Sequence, residues 1–366
     1  MTLILILVLA TVAAVLVFDF TNGFHDAANL IATAVASRAL TPIQAALTAA
    51  VFTFLGPLLG GTAVADTVGQ VITLDALAPH AAVSLILCAV LAAVLWNVGT
   101  WLFGIPSSSS HALIGALIGP TVLAAGDGAV RWGYTELVTS GELVGATKIL
   151  AALMLSPVAG LAVGYGTHRT ARWLLRRATP RANKPIKRLQ VVGTAAMAFA
   201  HGANDAQKSM GVLTLVLLLT GQLHSFEVPT WVMLLCALAM TAGTVFGGWR
   251  IVRTLGFGIY RLRPLHALDA QLASSAVIFG AALVGGPVST THVVTSAIMG
   301  VGASERLRGE AVTALRAQDP GPTGLECLNL VTSMLTKREV YRHLSNAADR
   351  VAQAGESLHN IVVKWT

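Results

Sequence analysis

Residues 20–27 read Phe20-Thr-Asn-Gly-Phe-His-Asp26-Ala27. They return as Phe199-Ala-His-Gly-Ala-Asn-Asp205-Ala206, 179 positions later (205 − 26). A second pair follows in the same order. Pro106-Ser-Ser-Ser-Ser-His111 returns as Pro287-Val-Ser-Thr-Thr-His292, 181 positions later (292 − 111). Apolar segments often resemble one another by chance. Chance does not reproduce Gly-x-x-Asp-Ala and Pro-x-Ser-x-x-His together at nearly one separation. The chain is therefore read as a duplicated unit. Internal repeats build many secondary transporters, with substrate and ions held at the repeat interface.

The sequence around these motifs is that of a membrane protein. Of 366 residues, 55% are hydrophobic and 11% charged, with a mean hydropathy of +0.71. Soluble domains carry about 25% charged residues. That excludes a soluble two-domain enzyme, a disordered chain and a disulfide scaffold. No Asp, Glu, Lys or Arg occurs in 39–65, 76–126, 149–168, 189–204, 209–226, 228–249 or 270–304. A spanning helix needs about 20 mostly apolar residues, so the 76–126 run holds two. Residues 1–18 are also uncharged and lack a basic n-region. They read as a first membrane segment, not a cleaved signal. The cysteines (Cys88, Cys236 and Cys327) match no metal spacing. Cys88 and Cys236 sit in apolar runs, where buried free thiols are expected.

The remaining apolar segments predict helices over about 42–62, 80–104, 145–166, 230–248 and 268–285. Stretches 64–79 and 127–144 are more polar and read as loops or interfacial turns. Trp132, Tyr134, Trp249 and Tyr260 sit near segment ends, as interfacial anchors do. Between the repeats, His168–Arg188 holds Arg169, Arg172, Arg176, Arg177, Arg181, Lys184, Lys187 and Arg188 with no acid. A short basic loop stays cytoplasmic. Topology therefore explains the net charge of +7, and no nucleic-acid partner is expected. The tail, 304–366, holds 7 of the 17 acidic and 8 of the 24 basic residues and no 18-residue apolar run. Beyond the breaker cluster Asp319-Pro-Gly-Pro-Thr-Gly, apolar residues recur at helical spacing, suggesting a soluble or peripheral amphipathic helix pair. The expected organisation is membrane repeat 1 (1–167), basic linker (168–188), membrane repeat 2 (189–303) and helical tail (304–366).

The repeated motifs put polar chemistry at membrane depth. A carboxylate there costs several kcal/mol on most scales, so Asp26 is expected to face a cavity or a partner. Gly23 among polar residues suggests an interrupted helix whose freed backbone groups ligate ions. Asp26 and Asn29 share one helical face. A carboxylate with an amide oxygen suits Na⁺, and a carboxylate alone can carry H⁺. In the second copy Lys208 replaces Asn, three residues after Asp205. Asp205 and Lys208 can then pair, leaving Asp26 as the uncompensated charge. The hydroxyl motifs follow a proline and open apolar helices. Helix starts of this kind attract anions, so two of them facing each other would cradle an oxyanion. His111 and His292 close these motifs and could orient hydroxyls or accept protons. His25 and His201, beside the aspartates, are the better relay candidates.

Together, Asn22-Gly-Phe-His-Asp-Ala-Ala-Asn29, Phe199–Lys208, Pro106–His111 and Pro287–His292 resemble the inorganic phosphate transporter (PiT) family, over roughly residues 1–306. The resemblance implies an all-α polytopic membrane protein. Its fold would be a duplicated, inverted-repeat bundle with broken or re-entrant helices. It implies Asp26, Asn29 and Asp205, with Asn22 and Asn204 beside them, as coupling-ion candidates. It implies Ser108, Ser109, Ser110, Ser289, Thr290 and Thr291 as phosphate candidates, with His201 nearby. The His25 and Gln207-Lys208 forms look like the bacterial low-affinity branch, which is proton-coupled and carries metal–phosphate complexes. H⁺ is therefore preferred over Na⁺, with no resident cofactor. The family continues past Glu305-Arg306 into a further membrane helix. Here residues 325–366 instead resemble the last helix of a PhoU-like accessory protein, as in a fusion.

The leading expectation is import of inorganic phosphate by proton symport across the cell membrane, by a protein that could be a homodimer or bind a PhoU-like partner. A sulfate permease on the same scaffold, Na⁺-coupled symport and a non-transporting remnant are the alternatives. An intramembrane hydrolase is disfavoured, because Ser110 and His111 are adjacent and do not face each other on a helix.

Overall fold

The computed structural model describes residues 2–179, 182–247 and 263–316. Among them are eleven α-helices and one isolated antiparallel bridge, Ile72 to Val130. The helices are α1 (Thr2–Ala36), α2 (Pro42–Leu59), α3 (Ala63–Gly69), α4 (Pro79–Leu102), α5 (Ser109–Ala125), α6 (Tyr134–Thr139), α7 (Gly145–Leu174), α8 (Asn183–Leu219), α9 (Thr230–Phe246), α10 (Pro264–Leu283) and α11 (Thr290–Arg316). By its contacts the chain divides into Met1–Ser304 and Glu305–Thr366. Every residue of the site lies in the first.

Local sequence sets the helix starts. Thr41 and Gln44 form a capping box on α2, with Pro42 in its first turn. Pro79 and Pro264 open α4 and α10 in the same way. Proline fits there because its missing N–H would be unpaired anyway. Four helices, α1, α2, α4 and α7, are long and apolar enough to cross a bilayer. Their outward faces are apolar: Leu5, Ile6, Leu9, Ile43, Leu47, Leu95, Met154 and Leu155 are all exposed. Exposed apolar surface on that scale marks a membrane protein.

The interior holds two hydrophobic clusters with a polar layer between them. Along α1, Val15 and Phe18 belong to the first cluster, while Ala28, Leu30 and Ile31 belong to the second. Along α8 the order reverses, from Met197 and Ala198 in the second cluster to Met210 and Val212 in the first. Repeat-equivalent helices therefore run in opposite directions. That is the arrangement of an inverted repeat.

Glycines at equivalent places lock the two repeats together. A Cβ on Gly23 would lie 2.1 Å from the Met240 carbonyl oxygen of α9, and one on Gly202 would lie 2.4 Å from that of Thr53 in α2. Such close backbone approach drives helix association in membranes, where hydrophobicity supplies no force between helices.

Several expectations need correction. α1 runs unbroken through Gly23, so its glycine serves the crossing with α9, not a break. The breaks fall at the hydroxyl motifs, between α4 and α5 and between α10 and α11. Cys236 is buried, but Cys88 is exposed on the outer face of α4. An apolar environment for a thiol can be lipid as well as protein. The two expected loops contain α3 and α6 and are joined by backbone hydrogen bonds from Thr73 N to Ala129 O (2.8 Å) and from Arg131 N to Val71 O (2.9 Å). Tyr134 is exposed, while the Trp132 indole donates to the Asp127 carboxylate at 2.9 Å. Trp249, Tyr260, Cys327, Arg181 and the helical tail beyond 316 lie outside the described residues.

Candidate functional site

The middle of α1 carries Asn22, His25, Asp26 and Asn29. The middle of α8 carries His201, Asn204, Asp205 and Lys208. All eight are buried. The hydroxyl motifs arrive as helix starts. Ser108 caps α5 by accepting from the His111 amide at 3.3 Å, and the Ser289 hydroxyl accepts from the His292 amide at 3.4 Å at the start of α11. Two helix N-termini thus meet the polar faces of two antiparallel helices.

The contacts between them obey the repeat. On α1, Asn29 Nδ2 donates to Asp26 Oδ1 (3.0 Å) and to Thr291 Oγ1 (2.9 Å). At the equivalent place on α8, Lys208 Nζ donates to Asp205 Oδ1 and to Ser110 Oγ, both at 2.5 Å. Thr291 Oγ1 donates to the Ser107 carbonyl, and Ser110 Oγ to the Val288 carbonyl, each at 2.9 Å. Ser109 Oγ donates to Asn22 Oδ1 at 2.7 Å. Its counterpart Thr290 lies 3.4 Å from His201 Nδ1 and donates to Asp205 Oδ2 at 3.2 Å. Each repeat's amide or ammonium therefore reaches across to the other repeat's hydroxyl.

The electrostatics are less even. Lys208 is 1% exposed, so its ammonium does not snorkel to an interface. Asp26 has His25 Nδ1 at 3.1 Å and Asp205 has His201 Nδ1 at 3.3 Å. Oxygen or nitrogen atoms of Asp26, His201 and Asp205 all lie within 4.8 Å of one another. By formal charge, two carboxylates face one ammonium. Three polar atoms of these eight motif residues make no hydrogen bond within the protein: Asn22 Nδ2, Asn29 Oδ1 and His201 Nε2.

Not every candidate joins the centre. Ser108 is turned back onto His111 Nδ1 at 2.7 Å, and the His111 and His292 rings pair 5.2 Å apart, half-buried. Asn204 holds the Pro287 loop, donating to the Gly286 carbonyl (3.0 Å) and accepting from the Val288 amide (3.2 Å). Some participants were not singled out from sequence. Thr100 accepts from Ser107 Oγ at 3.0 Å beside His25. Gln207, which the sequence marks only as part of the Gln207-Lys208 form, accepts from the Val64 amide at 2.8 Å and so holds the start of α3. Asp19 is buried against Ser209. Asp19 and Asp26 are seven residues apart, which is a same-face spacing, and that signal could have found it.

A profile described as Phosphate transporter family matches residues 22–319. The chain belongs to that family. It is 43% identical over 315 residues to a probable low-affinity inorganic phosphate transporter of Bacillus subtilis (strain 168), covering 84% of this chain and 90% of that protein. It is 41% identical over 309 residues to the protein of the same description from Rhizobium meliloti (strain 1021), covering 84% and 88%. A solved structure described as "The sodium-dependent phosphate transporter" has the same fold. Its TM-score is 0.71 at 22% identity, and the match covers 85% of this chain and 92% of that one. The family is one of transporters, not enzymes. In this transporter the duplicated motifs are the centre of the bundle, not its periphery.

Proposed function

We infer that the protein imports inorganic phosphate across the cell membrane by symport with protons. The observation that carries this reading is the pairing of each motif aspartate with an imidazole, His25 on Asp26 and His201 on Asp205. Imidazole and carboxylate are proton carriers, and an imidazole is a poor ligand for Na⁺. Charge supplies the coupling. The buried layer already has one carboxylate more than it has ammonium groups, so a phosphate anion entering it alone would add uncompensated charge in a low dielectric. Protonation at Asp26 removes that excess, so phosphate and proton travel together.

The phosphate oxygens would be held by Ser109, Ser110, Thr290 and the two helix N-termini, with Asn22 Nδ2 and His201 Nε2 as further donors. Lys208 serves as a built-in cation for the second repeat. The basic linker favours a cytoplasmic placement of 168–188. A divalent metal–phosphate complex would meet the same charge requirement as cargo.

The test is labelled phosphate uptake by proteoliposomes under separate pH and Na⁺ gradients. Uptake driven by the inward pH gradient and abolished in Asp26→Asn is expected. Uptake that follows only the Na⁺ gradient would overturn the proton reading. The second reading, Na⁺ symport, is favoured by Asn29 Oδ1, an amide oxygen beside Asp26 with no partner in the protein. Sulfate competing equally with phosphate would move the assignment to a broader oxyanion carrier.

A further inference from the structure

Four carboxylates are buried among the described residues: Asp19, Asp26, Asp205 and Asp269. Three of them have a basic partner. His25 lies on Asp26 at 3.1 Å, His201 and Lys208 lie on Asp205, and His168 lies on Asp269 at 2.7 Å. Asp19 has none. It is fully buried in α1, and its Oδ1 accepts from Ser209 Oγ of α8 at 2.5 Å. Its Oδ2 has no hydrogen-bond partner. The Cys236 thiol of α9 faces it, and Asp205, a like charge, stands one helical turn before Ser209 on α8. The other helices packed against α1 bring no cation. α2 contains no ionisable residue, and the one histidine of α4, His80, is exposed in its first turn. In α10, Asp269 is bonded to His168, and the His266 ring packs on the His168 ring.

An ionised carboxylate buried without a cation carries a desolvation penalty of several kcal/mol, about the cost that makes such groups neutralise. Asp19 is therefore a neutral acid. Its place decides what that acid can do. At about 100° per residue, Asp19, Asn22, Asp26 and Asn29 fall within an arc of about 80° on one face of α1. Asp19 stands about 10.5 Å along the axis from Asp26, with Asn22 between them. The equivalent residue of α8 is Ala198 (19 + 179). The extra acid thus belongs to the same repeat as Asp26, the aspartate with no ammonium partner.

We propose that Asp19 is a second proton-binding site of the transporter, exchanging its proton with Asp26 through water. This rests on the proton-coupled reading above. In the transfer, the O–H bond of the Asp19 carboxyl breaks and an O–H bond forms on an Asp26 oxygen. One buried anion replaces another, and the net buried charge is unchanged. Asp19 later regains a proton from bulk water.

Two measurements test this. The first is the infrared carbonyl stretch of a protonated carboxyl group in the full-length protein at neutral pH. A band that is lost in Asp19→Asn and shifted in Ser209→Ala is expected. Spectra of wild type and Asp19→Asn that coincide would overturn the proposal. The second separates coupling from folding. Asn has the shape of the neutral acid, so Asp19→Asn should still exchange internal for external phosphate. Its accumulation driven by a pH gradient should fall at least tenfold, and Asp19→Glu should restore it. Exchange and accumulation falling together without rescue by Glu would make Asp19 a structural residue and end the proposal. Wild-type uptake indifferent to the pH gradient, with the Asp19 band intact, would instead overturn the coupling reading and leave Asp19 as a proton site.

Discussion

Three residues after the motif aspartate, α1 has Asn29 and α8 has Lys208. Both side chains make the same two contacts, to their own aspartate and to the opposite hydroxyl motif. The geometry is conserved across the pseudo-two-fold and the charge is not. One half of the centre carries a fixed ammonium, and on the proton-coupled reading proposed above the other takes its cation from outside. A transporter built of two identical halves would need a cation at each. With an ammonium in one half only, the two aspartates are no longer electrostatically equivalent. That difference is where coupling can be located, and it can be broken from either direction.

The largest expected effect comes from removing the fixed cation. Lys208→Met leaves Asp205 buried with a histidine and a threonine, and breaking a buried ion pair from one side costs about 3–5 kcal/mol. Thermal unfolding in detergent should show the loss. The double variant Asp205→Asn with Lys208→Met should recover most of it, since both charges are then gone. Asn29→Met removes an uncharged partner and should cost about 1–3 kcal/mol. Equal losses in Lys208→Met and Asn29→Met would mean that the halves are not electrostatically distinct.

The opposite exchange makes the first half resemble the second. Asn29→Lys places an ammonium beside Asp26. Phosphate should still raise the melting temperature of this variant, while accumulation driven by a pH gradient falls to background. Persistent gradient-driven accumulation would show that coupling does not reside at Asp26.

The bundle is asymmetric in packing as well. On α11, Ser296 and Gly300 receive α7: a Cβ on Gly300 would sit 2.2 Å from the Leu161 carbonyl oxygen, and one on Gly160 would sit 2.2 Å from Ser296 Oγ. The repeat-equivalent positions on α5, Gly115 and Gly119 (296 − 181 and 300 − 181), have open space around them. Gly300→Leu should therefore destabilise by about 1–3 kcal/mol, the usual cost of overpacking. Gly115→Leu should change stability by no more than about 0.5 kcal/mol. Matching melting temperatures for the two variants would mean that α7 does not depend on that crossing.

How far the sequence carries this comparison depends on the kind of signal. The duplicated motifs disclose the repeat, and the offset of 179 alone aligns Asn29 with Lys208. Helix existence is legible from charge-free runs, because a spanning helix must be apolar over its whole length. Gly23 misleads in sequence because a glycine in a polar stretch has two explanations, a break and a close crossing. Only the Met240 carbonyl opposite it distinguishes them. Asp19 ends an apolar run and in sequence looks like a boundary. Its partner Ser209 is 190 residues away in sequence, and no local pattern announces such a contact. Thr100 escapes for the same reason. A threonine in an apolar helix is unremarkable until Ser107 and His25 fold against it.

The finest test of the comparison sets Ser110 against Thr291, equivalent hydroxyls with different donors. Ser110 accepts from an ammonium and donates to the Val288 carbonyl. Thr291 accepts from an amide and donates to the Ser107 carbonyl at 2.9 Å, with the Asp26 carboxylate farther off at 3.4 Å. Hydrogen bonds to charged groups contribute about 1.5–3 kcal/mol and neutral ones about 0.5–1.5 kcal/mol. Ser110→Ala should thus lower stability by about 1 kcal/mol more than Thr291→Val. Adding Lys208→Asn should erase that difference, because both hydroxyls would then accept from amides. If the gap survives Lys208→Asn, it comes from the surrounding packing, and charge is not what separates the two halves at this contact.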